Sequence, residues 1–166
     1  TTHLAAVFMH LAQMYSSMSD KLVVLFTRLH PDAQPPVQGS ALAAGWDLRT
    51  VETCEIKKGI STKVPTGLAV SIPPGYEGQI RARSSLGAKG IILPNGIGTI
   101  DADYRGQIHV LMTWIGEGDS TIIEAGERIA QMIISEVPKV SFLEVESDEL
   151  GNTERGGGGF GSTGRY

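Results

Sequence analysis

Short apolar runs separated by glycine and proline turn signals dominate this sequence from residue 21 onward. They recur at intervals of about 8–12 residues, the spacing of strands in an all-β sandwich or barrel. A helical period also fits residues 128–137, but their isoleucine content and flanking turns favour a strand. Residues 84–89 (SSLGAK) predict one short helix. The predicted strands are residues 22–26, 63–72 (two strands joined by a turn), 76–82, 107–115, 121–123, 128–137 and 140–145.

The length of 166 residues favours a single domain. Composition changes near both ends of the chain, which predicts three parts. These are an N-terminal extension over residues 1–20, a β-domain over residues 21–150 and a flexible, glycine-rich C-terminal arm over residues 151–166. The extension is either weakly structured or a short helix that packs on a partner.

Charge and composition argue against several classes of function. The formal net charge is −4, whereas broad nucleic-acid binding requires a basic surface, so no nucleic-acid partner is expected. No apolar run reaches the roughly 18 residues of a membrane span, and the N-terminal stretch lacks the positive start of a signal peptide. The single cysteine, Cys54, is expected to be a small buried residue in a reducing compartment, which predicts a cytoplasmic protein. The four histidines show no zinc-ligand spacing.

Five segments carry more polar chemistry than a β-fold requires. Arg83 offers a fork of donors suited to phosphate oxygens, and Ser84 and Ser85 add hydroxyl groups at the start of the predicted helix. The same serines are alternatively ordinary helix caps. The five segments are residues 44–48 (AGWDL), 83–87 (RSSLG), 95–106 (NGIGTIDADYRG), 126–131 (GERIAQ) and 155–164 (RGGGGFGSTG).

Aspartates mark two of these segments. Asp101 and Asp103 are two residues apart, so on an extended chain both side chains point the same way, and such a carboxylate is able to deprotonate an attacking water. Each of them, like Asp47 between its apolar neighbours, is alternatively a structural turn residue. Arg128 and Gln131 lie inside an apolar strand and either pair with buried carboxylates or face a site. The glycine-rich arm is able to wrap phosphates through its N–H groups, or is a plain flexible tail.

In this order and spacing, the five segments resemble the motifs of the homotrimeric dUTP pyrophosphatase (dUTPase) family, and GTIDADYRG and RGGGGFGSTG are the most specific of them. The match covers nearly everything except the N-terminal extension. The resemblance implies a jelly-roll-like β-barrel and a homotrimer with its active sites at subunit interfaces. It implies hydrolysis of dUTP to dUMP and pyrophosphate with Mg²⁺, which lowers dUTP and supplies dUMP for thymidylate synthesis.

The resemblance also implies residue roles. Asp101 resembles the base that activates water for attack on the α-phosphorus, and Tyr104 resembles the ring that packs under deoxyribose and excludes a ribose hydroxyl. Asp47 is similar to an outer-shell aspartate that reaches the metal through water, while Asp103 and Arg128 are similar to structural supports. The implied uracil and deoxyribose contacts, on a hairpin over residues 95–104 and on the arm, are Asn95, Gly98, Thr99, Ile100, Tyr104 and Phe160. The implied phosphate ligands are Arg83, Ser84, Ser85, Gln131, Arg155, Gly159, Ser162 and Thr163.

Two positions depart from the family pattern, because Trp46 stands where tyrosine is usual and Ser85 where many members have glycine. The nearest alternative is dCTP deaminase, a related fold with a similar RSSL segment. Its catalytic arginine and glutamate would fall at Ala88 and Leu111, which cannot perform that chemistry. A second alternative is a protein-interaction module. Since every catalytic residue type is present, such a role would add to hydrolysis rather than replace it, and residues 1–20 are the segment to test.

Overall fold

The computed structural model describes residues 21–159 of the chain. Regular structure within that range is almost entirely β, with one short α-helix and one 3-10 helix, which confirms the all-β prediction. In chain order the elements are β1 (Leu25–Arg28), β2 (Val37–Gln38), β3 (Trp46–Arg49), β4 (Cys54–Lys57), β5 (Thr62–Pro65), β6 (Leu68–Ser71), β7 (Tyr76–Arg81), α1 (Ser84–Gly87), β8 (Ile91–Ile92), β9 (Gly98–Ile100), β10 (His109–Trp114), β11 (Ser120–Ile123), β12 (Arg128–Glu136) and a 3-10 helix (Ser147–Leu150).

The strands form four sheets in which every pair of neighbours is antiparallel. The largest sheet has five strands in the order β2-β3-β12-β7-β9. A three-stranded sheet, β5-β10-β8, and two strand pairs, β1-β6 and β11-β4, complete the fold. Most neighbours are far apart in the sequence, so long-range pairing determines which functional segments meet.

One apolar core lies between the sheets. Strict alternation builds it: in β4, Cys54 and Ile56 are buried while Glu55 and Lys57 are exposed, as expected of a strand with one face on the core. Buried polar groups are paired. The Thr66 hydroxyl, for example, donates to the Ile108 carbonyl at 2.8 Å. Throughout residues 21–159, no buried side-chain nitrogen or oxygen lacks a hydrogen-bond partner.

Most predicted strands are present with shifted ends. The strand predicted at residues 22–26 is Leu25–Arg28, and the predicted strand–turn–strand at 63–72 divides into β5 and β6 around Gly67, whose φ is +66°. The predicted helix ends earlier than expected, at Gly87. The sequence does not predict β2, β3, β4, β8 or β9, because strands of two to four residues are too short to show a clear periodicity.

Residues 140–145 contradict their prediction as a strand. They have no regular structure, and Phe142 and Leu143 are 99% and 85% exposed. A strand requires an edge to pair with, and no described part of this chain pairs with these residues. None of the helices within residues 21–159 is long and apolar enough to cross a membrane.

Candidate functional site

The carboxylate of Asp47 in β3 joins two arginines from distant parts of the chain. Its Oδ1 accepts a hydrogen bond from Nε of Arg83 at 3.2 Å, and its Oδ2 accepts one from Nη1 of Arg128 at 3.0 Å. Arg83 also donates to the carbonyl of Arg128 at 3.2 Å. Because the side chains of Asp47 and Arg83 are only 18% and 21% exposed, solvent screens this pair less than a surface pair. The cluster holds the Arg83 guanidinium at the start of α1.

A β-bulge in β12 sets the direction of Arg128. The register against β3 shifts between Arg128 and Ala130, so that Arg49 lies opposite Arg128 and Leu48 opposite Ala130. Ile129 and Ala130 are consecutive and both fully buried. Ordinary alternation would place residues 128 and 131 on opposite faces. The bulge therefore brings Arg128 out on the face that carries Asp47.

Gln131 lies on the same face, opposite Asp47 on one side and Arg81 on the other. Its Nε2 donates to the Ala82 carbonyl at 3.1 Å. Gly45 makes room for this side chain: a β-carbon at residue 45 would collide with the Gln131 amide and lie 3.0 Å from its Cβ. Gly45 and Gln131 therefore pack directly against each other.

Asp101 lies in a pocket of about 470 Å³. It directly follows β9, and its carbonyl accepts the N–H of Tyr104 at 3.1 Å, closing a turn. The Tyr104 hydroxyl donates to the Gln107 carbonyl at 2.9 Å. The pocket is lined by Lys63, Thr99, Ile100, Asp101, Tyr104, Gln107, Ile108, His109 and Leu111.

Two expectations about this segment are wrong. Asp101 and Asp103 do not point the same way, because the chain turns between them, and Asp103 lines a separate pocket with Arg105. The arms of the predicted hairpin over residues 95–104 do not pair with each other. Within this range only residues 98–100 form a strand, β9, and it pairs with β7.

Asn95 lies in the turn before β9, where its carbonyl accepts the N–H of Ile97 at 2.8 Å. Gly98 permits a close approach here: a β-carbon on it would lie 3.2 Å from Cβ of Ile80 and 3.4 Å from the Asn95 amide nitrogen. The Asn95 amide therefore lies against the backbone at the start of β9.

The remaining predicted ligands fall into three groups. Ser84 and Ser85 are exposed in α1, next to Arg83. Arg155 donates to the Gly158 carbonyl of its own arm at 2.8 Å, next to the half-buried Gly159. Phe160, Ser162 and Thr163, like the predicted extension over residues 1–20, lie outside the described residues.

Strand register separates the two halves of the candidate site. Extending the β7–β9 pairing by one residue places Asp101 level with Glu77, near the start of β7. The strand continues to Arg81, roughly 14 Å away at about 3.4 Å per residue, and Arg83 comes after its end. Asp101 and Arg83 therefore lie at opposite ends of the same strand pair.

The pocket contains polar residues that the sequence analysis did not single out, namely Lys63, Gln107 and His109. The His109 ring lies next to Gln107, with Nδ1 3.1 Å from the Gln107 carbonyl oxygen. Period-two alternation is the signal that finds two of them. Gln107 and His109 alternate with buried Ile108 and Val110, so both project from the face opposite the core.

Comparison with known proteins identifies the family of this chain. The dUTPase family profile matches residues 32–164. A deoxyuridine 5'-triphosphate nucleotidohydrolase of Solibacter usitatus is 42% identical over 89% of this chain and 100% of its own length. The enzyme of the same name from Wolinella succinogenes is 47% identical over 87% of this chain and 96% of its own length.

Solved structures of dUTPases have a similar fold. The dUTPase of Staphylococcus bacteriophage 80alpha, solved with dUPNHPP, superposes with a TM-score of 0.75 and 28% sequence identity, covering 86% of this chain and 98% of the phage chain. The profile match spans the Asp47 cluster, the Asp101 pocket and the glycine-rich arm. This chain belongs to the dUTPase family.

Proposed function

We propose that this protein hydrolyses dUTP to dUMP and pyrophosphate, which lowers dUTP and supplies dUMP for thymidylate synthesis. The observation that carries the proposal is the position of Asp101, exposed in a pocket beside Tyr104. In this proposal the Asp101 carboxylate accepts a proton from a water molecule, and that water attacks the α-phosphorus. A positioned general base contributes roughly 10²–10⁴-fold to a rate.

Selection of the deoxyuridine moiety is assigned to the segment around β9. The Asn95 amide and the backbone of Gly98, Thr99 and Ile100 read the uracil edge in this proposal, and Phe160 stacks on the ring. Buried polar groups discriminate by remaining unpaired against a wrong base, which excludes cytosine. Tyr104 packs under the sugar, where its ring leaves no room for a ribose 2′-hydroxyl.

The triphosphate is assigned to the Asp47 cluster and its neighbours, where Arg128 acts as a structural support, and Asp103 supports the turn that follows Asp101. The guanidinium of Arg83 is already oriented by Asp47, so less side-chain entropy is lost when it binds phosphate. Gln131 lies directly opposite Asp47 in the β3–β12 pair. A hydroxyl near the oxygen that bridges the α- and β-phosphates stabilises the leaving pyrophosphate. The proposed ligands are Arg83, Ser84, Ser85, Gln131, Arg155, Gly159, Ser162 and Thr163.

The donors on this face fit Mg²⁺ only in an outer-shell arrangement. Both carboxylate oxygens of Asp47 already accept hydrogen bonds from arginines, so Asp47 reaches the ion through water. Residues 21–159 contain no group of three or more metal-ligating side chains. Mg²⁺ characteristically keeps several waters and substrate phosphate oxygens as ligands. When bound, it neutralises charge on the triphosphate.

We propose a homotrimer with dUTP sites at the subunit interfaces. Asp101 and Arg83 lie at opposite ends of one strand pair, so a site that needs both draws them from different subunits. The exposed side chains of Phe142 and Leu143 also favour subunit contacts, because large apolar groups fully open to water are a mark of interaction surfaces.

The domain spans residues 21–150 in this proposal, and the arm over residues 151–166 closes across the site. Closure excludes all water except the attacking molecule. The arm contributes Arg155, Gly159, Phe160, Ser162 and Thr163 to the bound state. A single buried cysteine, Cys54, suits a reducing compartment, so we place the enzyme in the cytoplasm.

The test is pyrophosphate release from dUTP, dCTP, dTTP and UTP at equal concentrations, with ammonia release from dCTP measured in parallel. Release from dUTP alone is the expected result. Comparable release from dCTP would contradict the role given to the β9 segment, and comparable release from UTP would contradict the role given to Tyr104. Ammonia release from dCTP would instead favour the deaminase alternative.

A further inference from the structure

A second polar pocket, of about 490 Å³, opens beside the Asp47 cluster and contains two cations that the proposed function does not use. Arg49 comes from β3, two residues after Asp47, and therefore lies on the same face of the sheet. Lys89 follows α1 and is exposed. The ionisable and hydroxyl side chains that line the pocket are Arg49, Arg83, Ser85, Lys89, Glu127 and Arg128.

Positive charge in this pocket exceeds the negative charge available to balance it. Four cationic side chains line it, and one lining residue, Glu127, is acidic. Asp47 adds a second carboxylate, shared between Arg83 and Arg128. Glu127 accepts the backbone N–H of Glu124 at 3.2 Å. The pocket thus carries an excess of two positive charges.

The strand register places two of these positive charges opposite each other, which destabilises the fold. Arg49 lies directly opposite Arg128 in the β3–β12 pair, and like charges in that position are destabilising. Arg49 donates to the Gly126 carbonyl at 2.6 Å, which orients its guanidinium without neutralising it. Lys89 has no salt bridge within the described residues. An anion bound between these groups would remove the repulsion.

We propose that Arg49 and Lys89 bind the terminal phosphate of the nucleoside triphosphate and so determine the preference for a triphosphate over a diphosphate. The inference rests on the proposed function, because Arg83 and Ser85 line this pocket and are assigned there to phosphates. The α-phosphate lies nearest the nucleoside and Asp101. Arg49 and Lys89 line the same pocket as Arg83 and Ser85, and neither lines the Asp101 pocket, so we assign the far end of the phosphate chain to them.

The test compares two non-hydrolysable ligands that differ only in the terminal phosphate, α,β-imido-dUTP and α,β-imido-dUDP. Their affinities are measured by calorimetry for the full-length protein and for the variants Arg49→Gln and Lys89→Met. Each variant should weaken the triphosphate analogue roughly 10-fold, as loss of one charge-assisted hydrogen bond does. Affinity for the diphosphate analogue should change by less than about twofold.

Matched controls are Arg28→Gln and Lys57→Met, which remove exposed cations from other sheets and should change neither affinity. Arg49→Lys tests the charge separately from the shape and should retain part of the affinity. Because Lys89 makes no side-chain hydrogen bond within residues 21–159, Lys89→Met remains informative even if Arg49→Gln disturbs the turn at Gly126.

Equal weakening of both analogues, or weakening of neither, would overturn the inference. Failure of the proposed function is a separate result, because then the unaltered protein would bind neither analogue.

Discussion

The ring of Tyr104 lies directly over Gly106. A β-carbon at residue 106 would fall 2.5 Å from the Tyr104 hydroxyl oxygen and 2.7 Å from Cζ. Real side chains do not approach so closely, so any other residue at 106 must displace the ring. The glycine that ends the segment GTIDADYRG is therefore what permits the position of its tyrosine.

Gly106→Ala should displace Tyr104 and break its 2.9 Å hydrogen bond to the Gln107 carbonyl. We expect kcat/KM for dUTP to fall about 5- to 10-fold, the equivalent of roughly one hydrogen bond. The ratio of dUTP to UTP turnover should fall as well, because the ring no longer excludes a 2′-hydroxyl. Gly39→Ala is the control, since a β-carbon at residue 39 meets nothing within 4 Å. An unchanged dUTP/UTP ratio would refute this role of Tyr104.

Asp101→Asn should reduce kcat for dUTP at least about 10²-fold, because an amide cannot accept the proton of the attacking water. Affinity for a non-hydrolysable dUTP analogue should remain close to that of the unaltered protein. Single-turnover kinetics and calorimetry measure the two quantities. Asp119→Asn, in an exposed turn on another sheet, is the control and should leave both unchanged. Near-normal turnover in the Asp101 variant would exclude this residue as the base.

Asp47→Asn should lower both stability and substrate affinity. The change removes the negative charge shared by Arg83 and Arg128, and we expect a loss of about 1–2 kcal/mol in the free energy of unfolding, given the partial exposure of Arg128. KM for dUTP should rise because Arg83 is no longer held in place. Urea titration and steady-state kinetics measure these effects. Glu55→Gln breaks an exposed pair with Lys57 and should leave both values unchanged.

A chain that ends at Glu154 should fold and sediment with a mass near three chains, like the full-length protein, but release little pyrophosphate from dUTP. The removed residues supply the lid and several proposed phosphate ligands, and they lie beyond the last strand. Deletion of residues 1–20 is the matched control and should preserve hydrolysis. Full activity without the arm would refute the lid, and a fully active monomer would contradict the shared site.

The Cys54 thiol should react slowly with iodoacetamide in the folded protein at about pH 8 and rapidly in urea. Burial, followed by the charge of Glu52, raises its pKa above the ordinary value of 9.0, so little thiolate forms. Because the folded-state pKa of Cys54 is above the unfolded value, the protonated thiol stabilises the fold below pH 9.0. This contribution to the free energy of unfolding is lost as the pH rises through the folded-state pKa. Cys54→Ser should weaken that alkaline loss. Equal labelling rates in both states would show that the thiol is accessible.

Most of the long strands could be predicted from the alternation of apolar and polar residues, because local periodicity sets which side of a strand faces the core. The prediction at residues 128–137 chose a strand over a helix, and β12 confirms it. The order of the five motifs also identified the family without any structural information. The short strands β2, β8 and β9 were not predictable, because two or three residues carry no periodicity and exist only through their partners.

The arrangement of the candidate site depends on pairing between strands far apart in the sequence. Spacing alone places Arg128 and Gln131 on opposite faces of a strand, but the bulge at Ile129 brings Arg128 to the face that Gln131 and Asp47 share. Spacing likewise aligns Asp101 with Asp103, but a turn directs them into different pockets. A bulge or turn is stable only when the partner strand and the core accept the extra residue. The sequence by itself therefore determined which residues to examine, whereas the tertiary structure decided which of them share a surface.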